Sequence, residues 1–406
     1  MGENGKKYFK GLPILWILIG VLCMISIVEV FSATSRMTFG AGQSYLRPVL
    51  RHVILMGMGL ALMYLVHRIP YGWFKYLPLL LVPLSAGALA YLLISNYSTN
   101  SAARWINIMG FSLQPSEFAK MGVIIGEAWL LSKMDETDIL SQTQTFWRIV
   151  ILGGIFIVLI LPENLSTAGI LGIVVYLMMY VGHIRRKFLF LLGGSAVAVV
   201  AVMLAIMLLV PAETIEKSPL PDRFTTWQAR VLDFFNKGDK PSAIEYARTI
   251  VRDKPQETHA NIAIARSNII GNGPGNSVER DFLQEASCDF IYAIIIEELG
   301  MAGAIGVMVI YLWILLKVGG IAARCGKRRF PRYLAMGIAF QIAMQALVNM
   351  AVAVGIMPVT GQPLPMISTG GSSIFATSIY FGMLLSISWS ANENGTEPGV
   401  MTENVN

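Results

Sequence analysis

"LGIVVYLMMYVGHIRRKFLFLLGGSAVAVVAVMLAIMLLV", Leu171 to Val210, places two apolar runs on either side of the basic triplet Arg185, Arg186 and Lys187. A hydrocarbon core about 30 Å thick takes roughly 20 apolar residues in helical form; the second run has about that length, and the first is the end of a window that opens near residue 167. The triplet between them must stay in water, so the chain crosses, turns and crosses back. The rest of the sequence repeats the theme. Of 406 residues, 55% are hydrophobic and only 14% charged, with a mean hydropathy of +0.60, which excludes an ordinary soluble domain. About ten windows have spanning character, near residues 12–33, 52–69, 76–95, 116–132, 146–162, 167–183, 188–210, 289–318, 332–356 and 372–390. The expected fold is therefore an all-α polytopic membrane protein of about ten transmembrane helices. One transmembrane domain, residues 1–390, includes a large loop, 211–288, between the seventh and eighth windows, and a polar tail, 391–406, reads as disordered.

Lysine and arginine set the orientation, because short cytoplasmic loops retain positive charge. One set of connections holds Lys6, Lys7, Lys10, Arg68, Lys75, Lys133, Arg148, the 185–187 triplet, Lys317, Arg324, Lys327, Arg328, Arg329 and Arg332. The alternate short connections hold only Arg36, Arg47, Arg51 and Arg104. Both termini are then cytoplasmic and the 211–288 loop faces outward. The first apolar window follows three lysines like a signal peptide but exceeds a cleavable core, so it reads as a retained anchor. Three cysteines, Cys23, Cys288 and Cys325, imply no disulfide framework. The net charge of +6 suits contact with anionic membrane lipids rather than nucleic acid, for which no motif is present.

The outer loop ends in "SNIIGNGPGNSVERDFLQEASCD", Ser267 to Asp289. Gly271, Gly273 and Gly275 alternate, and Asn276 and Ser277 follow as candidate caps. Two readings are open: a plain turn, or a loop whose amides approach phosphate oxygens. Asp281, Glu285 and Asp289 recur every fourth residue and would share one face if the stretch were helical. Either that face is a solvated acidic stripe, or a cation, a lysine or raised pKa values compensate it. Asp289 stands directly against the apolar run "FIYAIII", where charge is costly and marks function.

In "RWINIMGFSLQPSEFAK", Arg104 to Lys120, Pro115 can begin a helix that brings Glu117 and Lys120 together, three residues apart. The lysine either pairs internally or faces a polar cavity shared with another acid or a phosphate. "LPENLSTAG" puts Glu163 in a short outer turn. "VNMAVAVGIMPVTGQPLPMISTGGSS" packs Pro358, Pro363, Pro365, Gly370 and Gly371 around Ser368 with no lysine or arginine. Such broken backbone at membrane depth needs protein or a watery cavity around it, as a structural hairpin or as a cavity wall.

Together, "QPSEFAK", "GNGPGNSVERDFLQEASCDFIYAIIIEELG" and "VNMAVAVGIMPVTGQPLPMISTGGSS" resemble the signature segments of the SEDS family, the peptidoglycan polymerases of cell shape, division and sporulation. The "GPGNS" step is more similar to the division branch than to the elongation branch. The resemblance implies polymerisation of lipid II: a sugar 4-hydroxyl attacks an anomeric carbon and expels undecaprenyl pyrophosphate with inversion. The family's essential acid maps onto Asp289, the lysine it faces onto Lys120, and a second loop acid onto Asp281. Departures stand at Ser287 and Cys288, where relatives carry His-Thr, and at Met366 and Thr369, where they carry Phe and Tyr. Asp289 would act as base or hold a divalent cation, Mg2+ or Mn2+. Lys120, Arg223 and Arg230 would meet the pyrophosphate, with Arg104, Glu117, Gly273, Gly275, Asn276, Ser277, Asp281, Glu285, Ser368, Gly370 and Gly371 around the substrate. Implied partners are a class B penicillin-binding protein, whose transpeptidase crosslinks the strands, and other membrane proteins of the division machinery. Two rival readings stand beside it: a flippase for lipid-linked sugars, since charges in broken spans also mark transport paths, and a noncatalytic scaffold for the division machinery that recruits a partner through its outer loop and can dispense with Asp289.

Overall fold

A computed structural model describes residues 11–34, 46–95, 105–108, 111–210, 224, 227–229, 231–232, 255–283 and 288–393. The helices are α1 (Pro13–Thr34), α2 (Leu46–Val66), α3 (Leu77–Ser95), α4 (Pro115–Lys133), α5 (Ile139–Ile160), α6 (Leu165–Val181), α7 (Arg186–Leu209), α8 (Pro255–Arg266), α9 (Ile291–Arg324), α10 (Arg329–Ala353) and α11 (Gly371–Glu393). Among the described residues, eight helices are long and apolar enough to cross a membrane. Two of the expected windows fall outside that set for physical reasons. The fourth became α4, whose apolar run carries Glu117, Lys120 and Glu127, and the sixth became α6, only 17 residues long. The helical class holds. A two-stranded antiparallel ribbon, β1 (Ile106–Ile108) and β2 (Phe111–Leu113), is added to it, with Ile106 opposite Leu113 and Ile108 opposite Phe111. α11 runs on to Glu393, so residues 391–393 are helical rather than tail; 394–406 lie outside the described residues.

Local signals set the helix ends. Asp138 caps α5 by accepting from Leu140 N and Ser141 N, both at 3.0 Å. Asn164 caps α6, accepting from Ser166 N at 3.1 Å and Thr167 N at 3.2 Å. Pro115 opens α4, where its missing N–H costs nothing. α10 packs against α4, α6 and α9, α4 also packs on α6, α2 lies along α11, and α1 bridges α2 and α9. α11 is 78% buried in its apolar window and α7 only 6%, so α7 is a peripheral helix turned outward. The central helices carry the polar residues that follow.

Candidate functional site

α9 begins one residue after Phe290, so Asp289 sits just ahead of the amide end of a helix, where negative charge is favoured. Its side chain is half-buried. The backbone around it is fixed from two sides. Asn349 Nδ2 of α10 donates to Asp289 O at 2.9 Å and to Gln362 O at 2.7 Å. Ser368 Oγ donates to Cys288 O at 2.5 Å and accepts from Leu364 N at 2.7 Å.

These bonds tie Asp289 to the irregular strap 354–370, and buried side chains satisfy that strap along its length. Gln345 Nε2 donates to Pro363 O at 3.1 Å, and Gln362 Nε2 to Thr167 Oγ1 of α6 at 2.6 Å. Tyr311 of α9 donates to Pro365 O at 2.5 Å, and Ser26 of α1 to Ile367 O at 2.7 Å. Met366, at φ +64, holds a left-handed conformation that non-glycine residues rarely adopt. Gly370 and Gly371 open α11 at the end of the strap.

Lys120 lies behind the strap with no exposed surface. Its ammonium donates to Glu117 Oε1 at 2.8 Å and to Gln345 Oε1 at 3.3 Å. Gln345 in turn holds the strap, so a chain of polar contacts runs from Lys120 through Gln345, Pro363, Gln362 and Asn349 to Asp289. Among the described residues no ion pair joins Lys120 to Asp289. The internal Glu117–Lys120 pair is therefore real, and its link to the acid is indirect.

The glycine loop differs from the phosphate-cradle reading. Its amides are already occupied, by the protein's own acids and carbonyls. Gly275 N and Ser277 N donate to the Glu298 carboxylate at 3.0 and 3.2 Å, and Val278 N to Glu297 Oε1 at 3.0 Å. Asn272 N and Gly273 N reach Glu297 O and Glu298 O at 3.1 and 2.8 Å. Asn276 turns back to Asn272 O, and Ser277 Oγ donates to Glu297 Oε2 at 2.5 Å. Arg280 lies 3.8 Å from Glu298 and donates to Ser32 O and Oγ of α1 at 3.0 and 2.8 Å. Ser32 also donates to Glu298. The loop locks onto a break in α9 at Gly300, φ +68, where a Cβ would lie 2.4 Å from Gly271 N.

The acidic helical stripe is also corrected. Asp281 belongs to a short 3-10 turn and Asp289 to a separate turn, so no single described helix joins them. Glu285, Arg104, Arg223 and Arg230, with the side chain of Asp281, lie outside the described residues. The structure thus brings together Asp289, Ser368 and the Gly370–Gly371 helix start, with Glu117 and Lys120 one layer behind. It places Gly273, Gly275, Asn276 and Ser277 in a structural lock instead. Sequence reasoning missed Gln345, Asn349, Gln362 and Thr167. A signal was available, since Gln341, Gln345 and Asn349 recur every fourth residue along an otherwise apolar helix.

The family model described as "Cell cycle protein", grouping FtsW, RodA and SpoVE, matches residues 12–393. The chain belongs to this family. The "Probable peptidoglycan glycosyltransferase FtsW" of Halomonas elongata is 33% identical over 387 residues, covering 92% of this chain and 89% of that relative. The protein of the same name from Geobacter sulfurreducens is 28% identical over 395 residues, covering 96% of this chain and 98% of its own. A chain from a peptidoglycan synthase complex superposes with a TM-score of 0.71 at 22% identity, over 94% of this chain and 98% of its own. The rod shape determining protein RodA of Thermus thermophilus gives 0.62 at 20% identity, with 94% and 98% covered. At such identities the structural likeness shows the fold. Within this family member, two of the sequence departures meet: Cys288 Sγ lies 3.0 Å from both Thr369 O and Thr369 Oγ1. The substitutions beside the acid form one contact, which keeps the strap joined to the turn that carries Asp289.

Proposed function

We propose that this family member is a peptidoglycan glycosyltransferase of the bacterial inner membrane, polymerising lipid II for septal wall synthesis, with its site on the extracytoplasmic face. The observation that carries the reading is Asp289, a half-buried carboxylate at a helix start whose backbone is bound by Asn349 and, through Cys288, by Ser368. A carboxylate so held suits a general base. The acceptor 4-hydroxyl oxygen forms a bond to the donor's anomeric carbon from the face opposite the pyrophosphate, and its proton passes to Asp289. The anomeric C–O bond breaks, and undecaprenyl pyrophosphate leaves with the electron pair.

Among the described residues no three acids, histidines or cysteines gather into a cage for a metal. The half-buried Asp289 carboxylate nevertheless fits a Mg2+ or Mn2+ ion shared with substrate phosphates, since such ions take few protein ligands. In the alternative role to the base, Asp289 is the residue that would hold it, and the ion, when bound, would supply charge to offset the leaving pyrophosphate. Arg223 and Arg230 are the proposed pyrophosphate contacts. Lys120, buried beneath Gln345, acts as a positioning residue for the strap. The proposed partner is a class B penicillin-binding protein, which supplies the crosslinking step, within a larger set of division membrane proteins.

The test is to incubate the purified full chain, with and without that partner, with lipid II and divalent cation and to size the glycan. Polymer from the wild type and none from folded Asp289→Ala is expected. Wild-type rates from Asp289→Ala would overturn the assignment, and lipid II crossing a bilayer without chain growth would favour transport.

A further inference from the structure

The proposed reaction leaves unused a groove of about 1020 Å³ at the other end of the bundle. α10 measures the separation: Asn349, which holds Asp289, lies near its last turn, whereas Arg329, its first residue, stands at the groove. At 1.5 Å per residue the two ends are on the order of 30 Å apart.

The walls are apolar and come from three helices: Leu79, Val82 and Pro83 of α3, Trp129 and Leu130 of α4, and Leu152 of α5. Gly126 keeps the floor open, since a Cβ there would meet Leu152 Cδ2 at 3.0 Å. Tyr71 and Tyr76 stand at the rim, where amphipathic rings favour the water–hydrocarbon boundary.

The mouth is cationic. Lys75, Lys133 and Lys327 line it and are exposed. Among the described residues none of the three pairs with an acid, although Lys75 Nζ lies 4.9 Å from the Tyr76 ring centroid. Two arginines complete the rim but are tethered: Arg328 donates to Ser390 Oγ at 2.9 Å, and Arg329 donates to Met134 O at 2.6 Å and pairs with Glu136 at 3.3 Å. Glu136 is spent on that pair, and among the described residues no acid lines the groove.

Uncompensated cations above a greasy slot select an anion that carries an apolar body. A free phosphate would leave the walls wet, and a neutral lipid would leave the lysines unmatched. We infer that this groove binds an anionic phospholipid of the leaflet at the basic end of the bundle, its phosphate among Lys75, Lys133 and Lys327 and an acyl chain along α3 and α4. Basic pockets between membrane helices at the cytoplasmic surface suit such headgroups. With the orientation proposed above, that leaflet is the cytoplasmic one.

The test uses the full chain in mild detergent, titrated with phosphatidylglycerol or with phosphatidylcholine of the same chains, and bound lipid counted by native mass spectrometry. The wild type is expected to prefer phosphatidylglycerol by at least about tenfold, as several lysines acting near a headgroup imply. The combined Lys75→Ala, Lys133→Ala and Lys327→Ala variant should lose that preference while binding phosphatidylcholine as before, with an unchanged thermal midpoint. Should the triple variant prove unstable, Lys133→Ala and Lys327→Ala singly carry the same test at smaller size. Equal binding of both lipids by the wild type, full preference in the substituted proteins, or displacement of phosphatidylglycerol by millimolar inorganic phosphate would each overturn the inference.

Discussion

Asp289 stands just ahead of α9 and Glu298 about two turns inside it, and the protein treats them in opposite ways. Glu298 is fully buried and accepts from Gly275 N, Ser277 N and Ser32, with Arg280 3.8 Å away. Asp289 is half-buried, and what the fold holds in place is its main chain, bound by Asn349. A carboxylate saturated with donors is a structural element: its charge is neutralised within the fold, and little is left for a ligand. Asp289, at the boundary of the apolar run and only half-buried, is instead placed where a ligand can reach it. Sequence position alone does not separate them, because both lie in one apolar stretch.

Exchanging each acid for its amide tests that contrast most severely. Asp289→Asn is expected to cut glycan synthesis by at least about 100-fold, the lower end for losing a general base, in protein that still folds. Glu298→Gln should do the reverse. It sets an amide against donors and removes the buried Arg280–Glu298 pair, costing about 3 kcal/mol, while turnover per folded molecule stays near wild type. Thermal unfolding and glycan sizing on the same preparations check both. A fully folded Glu298→Gln protein without turnover would erase the distinction.

The Glu117–Lys120 pair sits between these extremes, being fully buried yet linked to the strap. Lys120→Met is expected to cost roughly 3–5 kcal/mol, because it strands Glu117 as an uncompensated buried charge. Adding Glu117→Gln should restore most of that stability. If Lys120 positions the strap through Gln345, the double variant stays about tenfold low in kcat with KM for lipid II unchanged, within the range that geometric misplacement costs. A raised KM would instead place Lys120 on the substrate, and full recovery of kcat would reduce it to a packing element.

Gly300 tests the lock rather than the acids. At φ +68 and ψ −171 it occupies a region open essentially to glycine, and an added Cβ would meet backbone of residues 269–271 within 2.5 Å. Gly300→Ala is expected to lose about 2–3 kcal/mol, read as a lower thermal midpoint and as faster exchange of the Gly273 and Gly275 amides. Unchanged exchange would show that the loop closes without the break.

The spans were legible because a hydrocarbon core demands long apolar runs, and the start of α4 was legible because Pro115 suits a first helical turn. The ribbon was within reach, since "INI" and "FSL" alternate around Met109 and Gly110. Asp289 stood out because charge against an apolar run is costly. What stayed hidden depended on contacts between distant segments. The glycines after Ser267 look like an anion cradle, and they do hold anions, but the anions are Glu297 and Glu298 from the following helix. Nothing local to "GNGPGNS" separates an internal carboxylate from an external phosphate. The fourfold spacing of Asp281, Glu285 and Asp289 likewise implied a helix that the turns at Asp281 and Asp289 interrupt.

The smallest expected effect lies farthest from the acid. Thr167 Oγ1 accepts from Gln362 Nε2 at 2.6 Å, and Gln362 O receives Asn349, which holds Asp289 O. Thr167→Val keeps the side-chain shape and deletes the acceptor, leaving a buried amide donor unmatched at a cost of about 1–3 kcal/mol. If the strap transmits position, part of that cost appears as a severalfold fall in kcat with KM unmoved. Gln362→Leu in the Thr167→Val background removes the stranded amide and should recover stability. Recovery of kcat with it would mean that the contact only packs α6 against the strap, whereas a kcat that stays low would trace the placement of Asp289 back to α6.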